Sequence, residues 1–281
     1  MRPRAVDYVA TAQFLWLALV LLFVLAPIAL IVVYAFSSAP YGVFPPPGLS
    51  TKWFVKLFHQ DDLTHAALNS LIVALATMAV SLMVGTLAAL ALVRYRFFGR
   101  ELVRAMFLAP LIVPRIALGV GILIYVVLLH RFGGLDSVVM AHVMVALPFV
   151  ISVLSASLIG ADRVLEEAAM DLGATPVETF FRVVLPQIRT GLIVSAFFAF
   201  ITSWDEVETS IFLVKTHNIV LPVAMFYYLE HYQDPVIAAL SVFLIVIALA
   251  VAVMLVVLLK PRELPQVLGN REPEPDSGAT A

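Results

Sequence analysis

The 281-residue chain contains no cysteine, and only 13% of its residues are charged. Without cysteine it has no disulfide framework, no thiol nucleophile and no thiolate metal site. Its net charge of −2 argues against a nucleic-acid partner, which calls for a basic surface. With 62% hydrophobic residues and a mean hydropathy of +1.03, the chain is too apolar for a soluble core, so we expect lipid to solvate it.

The sequence also lacks the phosphate-binding loop Gly-x-x-x-x-Gly-Lys-Ser/Thr, so any ATP must be bound and hydrolysed by another protein. Its six histidines show no metal-ligand spacing. We therefore predict that the chain is not an enzyme, has no catalytic residues, and binds no cofactor and no metal.

Charge-poor apolar stretches dominate the chain, and about 20 such residues suffice to cross a bilayer. There are six such stretches, and four of them contain no charged interruption. The third stretch carries Arg115, and the fifth carries Asp205, Glu206 and Glu208. The pattern predicts an all-α polytopic membrane protein with about six transmembrane helices. The predicted spans are residues 14–36, 63–93, 105–130, 137–161, 190–214 and 235–259.

The distribution of Lys and Arg predicts the orientation. If the N-terminus is cytoplasmic, twelve of the 17 basic residues face the cytoplasm and four face outward, with Arg115 in the membrane. Cytoplasmic segments carry such an excess, so both termini are predicted to be cytoplasmic. This gives a cytoplasmic N-terminus at 1–13, a transmembrane domain at 14–260, and a disordered cytoplasmic tail at 261–281, which is rich in Pro, Glu and Arg.

A polar loop at residues 160–190 separates the fourth and fifth spans, and its pattern predicts two short helices. Asp162 is placed to cap the first helix, and Gly173 to end it. Thr175 and Glu178 have the spacing of a capping box for the second helix, which Leu185-Pro186 should stop. Most polar loops are merely solvated connections, so a function for this one requires a more specific signal.

That signal is the run Glu167-Ala168-Ala169, then Gly173, Val183 and Leu185-Pro186. It resembles the cytoplasmic EAA loop of permease subunits in binding-protein-dependent ABC importers, where isoleucine is usual in place of Val183. The resemblance implies the type I importer permease fold, in the bacterial inner membrane. It also implies that the first helix is a coupling helix that lies in a groove of an ATPase subunit.

The resemblance implies several partners: a second permease subunit, either a paralogue or a copy of this chain, two ATPase subunits that bind ATP and magnesium, and an extracytoplasmic solute-binding protein. The residues expected to couple the permease to the ATPase are Glu166, Glu167, Ala168, Ala169, Asp171, Leu172, Gly173, Leu185 and Pro186.

Within this family the chain looks most like the spermidine/putrescine permeases. The similarity rests on Pro110-Leu111-Ile112-Val113-Pro114, on Ser203-Trp204-Asp205-Glu206, and on Leu221-Pro222 before an aromatic segment. It implies that the cargo is a polyamine. The alternatives are a permease for another small solute, such as an amino acid, an oxyanion or a metal chelate, or an ion-coupled secondary transporter.

Ionisable residues at membrane depth are candidates for the translocation pathway, because burying them in lipid is costly. The set is Arg115, Asp205, Glu206 and Glu208, together with the adjacent Trp204, and its three carboxylates would attract a cationic solute. Arg115 is close enough in depth to pair with Asp205, and Asp205 and Glu208 would share one helix face. In the alternative interpretation, Arg115 is a structural counter-ion and the carboxylates mark the end of a short fifth span. Polyamine permeases more often have an acidic residue after the proline that corresponds to Pro114. A basic residue at this position, Arg115, therefore also permits an anionic or zwitterionic solute.

Overall fold

The computed structural model describes residues 8–258, so the predictions for residues 1–7 and for the tail at 261–281 lie outside the described residues. Residues 8–258 are largely helical and include no β-strand, only an isolated bridge between Ser37 and Leu49. The α-helices are α1 (Tyr8–Ala35), α2 (Lys52–Phe58), α3 (Asp61–Arg94), α4 (Arg100–Leu108), α5 (Arg115–Leu128), α6 (Leu135–Gly160), α7 (Arg163–Asp171), α8 (Pro176–Thr179), α9 (Leu185–Gln187), α10 (Arg189–Trp204), α11 (Leu221–His231) and α12 (Val236–Leu258).

Six apolar segments lie where the sequence predicts spans, but they are not six simple helices. Within the described residues, α1, α3 and α6 are each long and apolar enough to cross a membrane alone. Two further spans form if each of two bent helix pairs counts as one. The sixth segment is α12, which is apolar throughout its 23 residues.

The third predicted span, 105–130, is wrong as a continuous helix. α4 and the 3₁₀ turn Ala109–Leu111 end before Pro114, and α5 starts at Arg115 with its axis turned by 106°. Pro114 has an extended ψ of 131°. Its ring also disfavours a helical backbone at the preceding residue, Val113, so the chain leaves the helix here. The bend places Arg115 in the first turn of a new helix.

The fifth predicted span, 190–214, is wrong at both ends. Helical structure begins with α8 in the polar loop, continues through a π turn at Phe180–Val184 and α9, and bends by 77° before α10. α10 then ends at Trp204, and most of the residues up to 214 are non-helical apart from the 3₁₀ turn Ser210–Phe212. The span is therefore built as a continuation of the polar loop.

The chain divides into two compact units, of which the larger comprises residues 58–232 and contains α3–α11. Its core is the packing of α3, α6 and α10 against one another. Small residues permit the close approach: a Cβ on Gly85 of α3 would lie 2.5 Å from Val150 Cγ1 of α6. α10 buries Gly191, Ser195 and Ala199 at every fourth position, which is a spacing typical of tight helix contacts in membranes.

The other unit comprises residues 1–57 and 233–281, and in its described part α1 packs against α12. The segment after α1 includes the helix α2. The indole Nε1 of Trp53 donates to the carbonyl oxygen of Ser37 at 2.7 Å, and Lys56 Nζ pairs with Asp234 at 2.5 Å. These two contacts tie α2 to both ends of its own unit.

Candidate coupling site and translocation pathway

The polar loop begins with the helix α7, and both of its predicted ends are confirmed. The backbone N–H of Val164 donates to Asp162 Oδ1 at 2.9 Å, which satisfies one free donor of the first turn. At the other end Gly173 has a φ of +91°, and the N–H of Ala174 donates to the carbonyl oxygen of Ala169 at 3.0 Å. This is the glycine-dependent helix ending that reverses the chain direction.

The second helical segment starts with the predicted capping box. Thr175 Oγ1 accepts the N–H of Glu178 at 3.3 Å, and Glu178 Oε2 accepts the N–H of Thr175 at 2.9 Å. This backbone hydrogen bond, followed by the bond from the Thr175 hydroxyl and by the Arg182 charge, lowers the pKa of Glu178. The cap is therefore fully formed above the ordinary glutamate pKa and weakens as pH falls through the lowered pKa.

The prediction that Leu185-Pro186 stops this helix is wrong. Helical structure continues to Gln187, because the π turn restarts the hydrogen-bond register and places Pro186 in the first turn of α9, where no N–H is required. The side chain of Gln187 then closes the loop: its Oε1 accepts the N–H of Asp162 at 2.8 Å. The start and the end of the loop are thereby held together.

Glu166 does not face outward with the rest of the predicted coupling surface. It forms a bidentate ion pair with Arg94, the last residue of α3, at 2.5 and 3.2 Å, and the two side chains are 11% and 12% exposed. Within this chain Glu166 therefore anchors α7 to the transmembrane bundle. Glu167, by contrast, is exposed and pairs with Arg163 one turn away at 3.1 Å.

The other predicted coupling residues differ in exposure. Ala168, Asp171, Leu172, Gly173 and Pro186 are exposed, whereas Ala169 and Leu185 are half-buried.

The exposed face of the loop is more apolar than the sequence analysis indicated. Val164, Ala168 and Leu172 recur at every fourth position of α7 and its C-terminal cap, all are exposed, and Leu172 is 90% exposed. Val177 and Phe181 extend the apolar surface onto the second segment. The four-residue spacing of Val164, Ala168 and Leu172 is visible in the sequence and predicts that they share one helix face. We refer to these five residues as the coupling face.

At the bend of the third span, Arg115 pairs with a different carboxylate from the predicted one. Its Nη1 lies 3.1 Å from Glu206 Oε2, and Glu206 Oε1 also accepts the N–H and the hydroxyl of Thr209, at 3.1 and 3.2 Å. The Glu206 side chain is fully buried, whereas that of Arg115 is 46% exposed. The sequence allowed a pair with Asp205 on the assumption of a continuous helix, but the helix ends at Trp204.

For the same reason, Asp205 and Glu208 do not share a helix face. Both are exposed, and neither forms an ion pair within residues 8–258. Trp204 is half-buried and stacks on Phe200 with their ring centroids 5.8 Å apart. The predicted pathway set therefore separates into one buried structural carboxylate, Glu206, and two carboxylates available to solvent or solute.

His142 holds this region together, although the sequence analysis did not include it among the candidate site residues. Its two ring nitrogens lie 2.7 Å from the hydroxyl oxygens of Ser203 and Ser210, and the Ser210 hydroxyl also donates to the Glu206 carbonyl oxygen. The histidine thus joins α6 to the end of α10 and to the following turn. No group of three potential metal ligands occurs in the described part of the chain.

A cavity of about 760 Å³ opens at the start of α3, at the opposite end of that helix from Arg94 and the polar loop. It combines one carboxylate, Asp62, with one ammonium group, Lys215, so its formal charge favours neither a cation nor an anion. The sequence analysis missed this cavity because its walls come from segments about 150 residues apart. The aromatic and histidine side chains in its wall are His65, His217, Tyr227, Tyr228, His231 and Tyr232.

Residues 81–262 match the family described as "Binding-protein-dependent transport system inner membrane component". The chain belongs to this family of permeases. The match includes the polar loop, the Arg115–Glu206 pair and α12. Membership makes the chain a multi-pass permease of the bacterial inner membrane and a transport subunit, and it implies a system with an ATPase and a binding protein.

Individual relatives agree with the family match. The permease is 34% identical over 226 residues to the putrescine transport system permease protein PotI of Escherichia coli K12, covering 78% of this chain and 80% of PotI. It is 32% identical to the spermidine/putrescine permease PotC of Haemophilus influenzae, covering 81% and 88%.

A crystal structure of a bacterial ABC transporter involved in alginate import contains a chain of the same fold. It superposes with a TM-score of 0.74 at 17% identity, covering 91% of the permease and 98% of that chain. The predicted all-α importer permease fold is therefore confirmed.

Proposed function

We propose that the permease imports a polyamine, delivered by an external binding protein, and that its polar loop receives the force of ATP hydrolysis. The observation that carries the coupling proposal is the coupling face: five exposed apolar or small side chains on a capped pair of helices joined directly to two spans. Two ATPases, with ATP and magnesium bound to them, would dock on these loops of a permease pair. The second permease is a paralogue or a copy of this chain.

Two connections would carry movement of the loop into the membrane. One is the Arg94–Glu166 ion pair between α3 and α7. The other is the run from α8 to α10, whose last 16 residues extend about 24 Å to the pairing of Arg115 with Glu206. A helix that sits in an ATPase groove transmits displacement through such contacts, so closure of the ATPases would change which side of the membrane the pathway faces.

We infer the orientation of the permease from the basic residues that lie beside the same ion pair. Arg94 binds Glu166 in the loop, and Arg96, Arg100 and Arg104 follow within a few residues. A cluster of basic residues beside a membrane span favours the cytoplasmic side. We therefore place the polar loop in the cytoplasm and the cavity at the start of α3 on the external side.

The polyamine proposal rests on the printed functions of the relatives and on Asp205 and Glu208, which are exposed carboxylates at the end of the fifth span. The positive charge of Arg115 is a weaker argument against a cationic solute, because Glu206 neutralises that charge at a distance of 3.1 Å. Its partial exposure nevertheless favours one second candidate, an anionic or zwitterionic solute that contacts the guanidinium. Removal of the two exposed carboxylates should weaken transport of a polyamine, whereas it should favour transport of an anionic solute.

The function can be tested in proteoliposomes that contain the permease with its cognate ATPase, partner permease and binding protein. We expect putrescine- or spermidine-loaded binding protein to stimulate ATP hydrolysis, and uptake to require ATP. Binding protein loaded with an amino acid or an oxyanion serves as the comparison. Stimulation by the oxyanion alone would refute the polyamine proposal but keep the importer, whereas uptake driven by a proton gradient without ATP would refute ATP-driven import.

In this assay, the double variant Asp205→Asn, Glu208→Gln is expected to raise the KM for a polyamine about thirtyfold, because two carboxylates that each contribute about 1 kcal/mol in a wet pathway are lost. The maximal rate should change less, since the coupling face is untouched. Glu101→Gln is a matched control, because Glu101 is an exposed carboxylate near the other end of the bundle. An unchanged KM would remove both carboxylates from the pathway, and a lower KM would favour the anionic solute.

A further inference from the structure

A second cavity, of about 330 Å³, lies where α4 meets α6 and the end of α3. Arg100, Arg104 and Leu108 recur at every fourth position of α4 and its end, so they form one wall. The lining includes two arginines and no acidic residue. The remaining lining residues are Leu92, Val93, Ile151, Ser152, Ser155, Ala156 and Ile159.

The arginines of this cavity lack the partners that the neighbouring basic residue has. Arg94 is neutralised by Glu166, but Arg100 forms no ion pair within the described part of the chain, and its Nε is buried without a hydrogen-bond partner. Arg104 approaches Glu101 only to 3.7 Å, and both side chains are substantially exposed, so that pair is weak. A buried guanidinium N–H without an acceptor is unusual and indicates that an acceptor is supplied from outside the chain.

The surroundings of the cavity identify the kind of acceptor. α4 follows the exposed Phe97 and Phe98 and carries the exposed Leu102 and Met106, which is typical of a short helix lying in the bilayer interface. Ile159, in the opposite wall, is 73% exposed. A ligand here meets two guanidinium groups and a wall that is apolar apart from two serine hydroxyl groups.

We propose that this cavity binds one anionic phospholipid in the leaflet on the side of the polar loop. The phosphate lies between Arg100 and Arg104, accepting hydrogen bonds from their guanidinium groups, and an acyl chain runs along the apolar wall formed with α6. Guanidinium groups bind phosphate oxygens in bidentate geometry, and basic pockets between transmembrane helices bind acidic headgroups. The lipid would brace α4 against α6 next to the bend that positions Arg115.

The proposal can be tested by native mass spectrometry of the delipidated, assembled transporter titrated with phosphatidylglycerol or phosphatidylcholine. We expect the wild type to retain phosphatidylglycerol preferentially, and Arg100→Gln, Arg104→Gln to lower that retention about tenfold. Arg96→Gln is the matched control, because Arg96 is exposed on the same connection and does not line the cavity. Equal retention by the double variant and the wild type, or no preference over phosphatidylcholine, would overturn the proposal.

Further measurements distinguish the phospholipid from two other occupants, a soluble anion and a second permease subunit. Ala156→Phe fills the apolar wall and leaves both arginines in place, so it should also reduce phosphatidylglycerol retention; a normal level would show that no acyl chain lies there. Inorganic phosphate should not displace the lipid, and displacement at equal concentration would assign the site to a soluble anion. Cross-linking of Ile159→Cys to a second permease subunit would show that a protein covers the cavity, which would also refute the lipid site.

Discussion

The substitution Gly173→Val is expected to lower coupled uptake about tenfold or more while ATP is still hydrolysed, because a β-branched residue at a φ of +91° carries about 1–3 kcal/mol of backbone strain. The strain would be relieved by opening the turn that sets α7 against the second segment. A Cβ at this position would meet no atom of residues 8–258 within 4 Å, so no clash with this part of the permease contributes. The measurement is the ratio of transported solute to hydrolysed ATP in proteoliposomes.

Two smaller substitutions assign the cause. Gly173→Asn tolerates a positive φ and should retain most of the coupling, whereas Gly173→Ala should fall between asparagine and valine. If asparagine uncouples as strongly as valine, the side chain interferes with the docked ATPase rather than with the turn. Normal coupled uptake by Gly173→Val would contradict the role given to this loop.

The second large effect is expected for Glu166→Ala, which leaves Arg94 buried without a counter-ion at a cost of about 3 kcal/mol. The measurable result is a lower unfolding temperature of the permease in detergent, accompanied by weaker coupling because α7 loses its anchor on α3. Glu167→Ala is a close control on the adjacent residue: its pair with Arg163 is exposed and contributes less than about 1 kcal/mol.

Exchanging the charges provides a further test of this ion pair. The double variant Arg94→Glu, Glu166→Arg restores opposite charges at the same two positions and should recover part of the lost stability. Equal destabilisation by Glu166→Ala and Glu167→Ala, with no recovery in the exchanged pair, would show that the contact does not anchor the loop.

Local signals in the sequence predicted the coupling loop well. Asp162, Gly173 and the Thr175–Glu178 capping box each act within one helical turn, so residue type and spacing determine their geometry. The extension of the second segment past Pro186 was missed because it depends on a π turn, for which the sequence carries no clear signal. The positions of the apolar spans could also be predicted, because the composition of about 20 consecutive residues identifies a span.

Contacts between distant segments could not be predicted in the same way. Arg94 and Glu166 are 72 residues apart, and Arg115 and Glu206 are 91 apart, so their partners depend on how α3, α5, α6 and α10 pack. The sequence left open which carboxylate pairs with Arg115, because no glycine or proline marks the end of α10 at Trp204. At the third span the signal was present, as Pro110 and Pro114 bracket the bend, but apolar composition was given more weight than the prolines.

These contacts are consistent with the mechanical role that we propose for the polar loop. It is closed on itself by Gln187, fixed to α3 through Glu166, and continuous with α10, which ends beside the Arg115–Glu206 pair. The apolar coupling face is not covered by residues 8–258. An element with rigid internal attachments and an exposed apolar face is suited to receive movement from a partner and deliver it to the spans.

The most direct test of this role uses the absence of cysteine from the natural chain. A photoreactive maleimide attached to Leu172→Cys, at the centre of the coupling face, is predicted to capture the ATPase subunit in the assembled transporter. The same reagent on Leu229→Cys, an exposed position of α11 at the opposite end of the bundle, should not capture it. Capture from Leu172 alone is the predicted result; no capture from Leu172, or equal capture from both positions, would contradict the account.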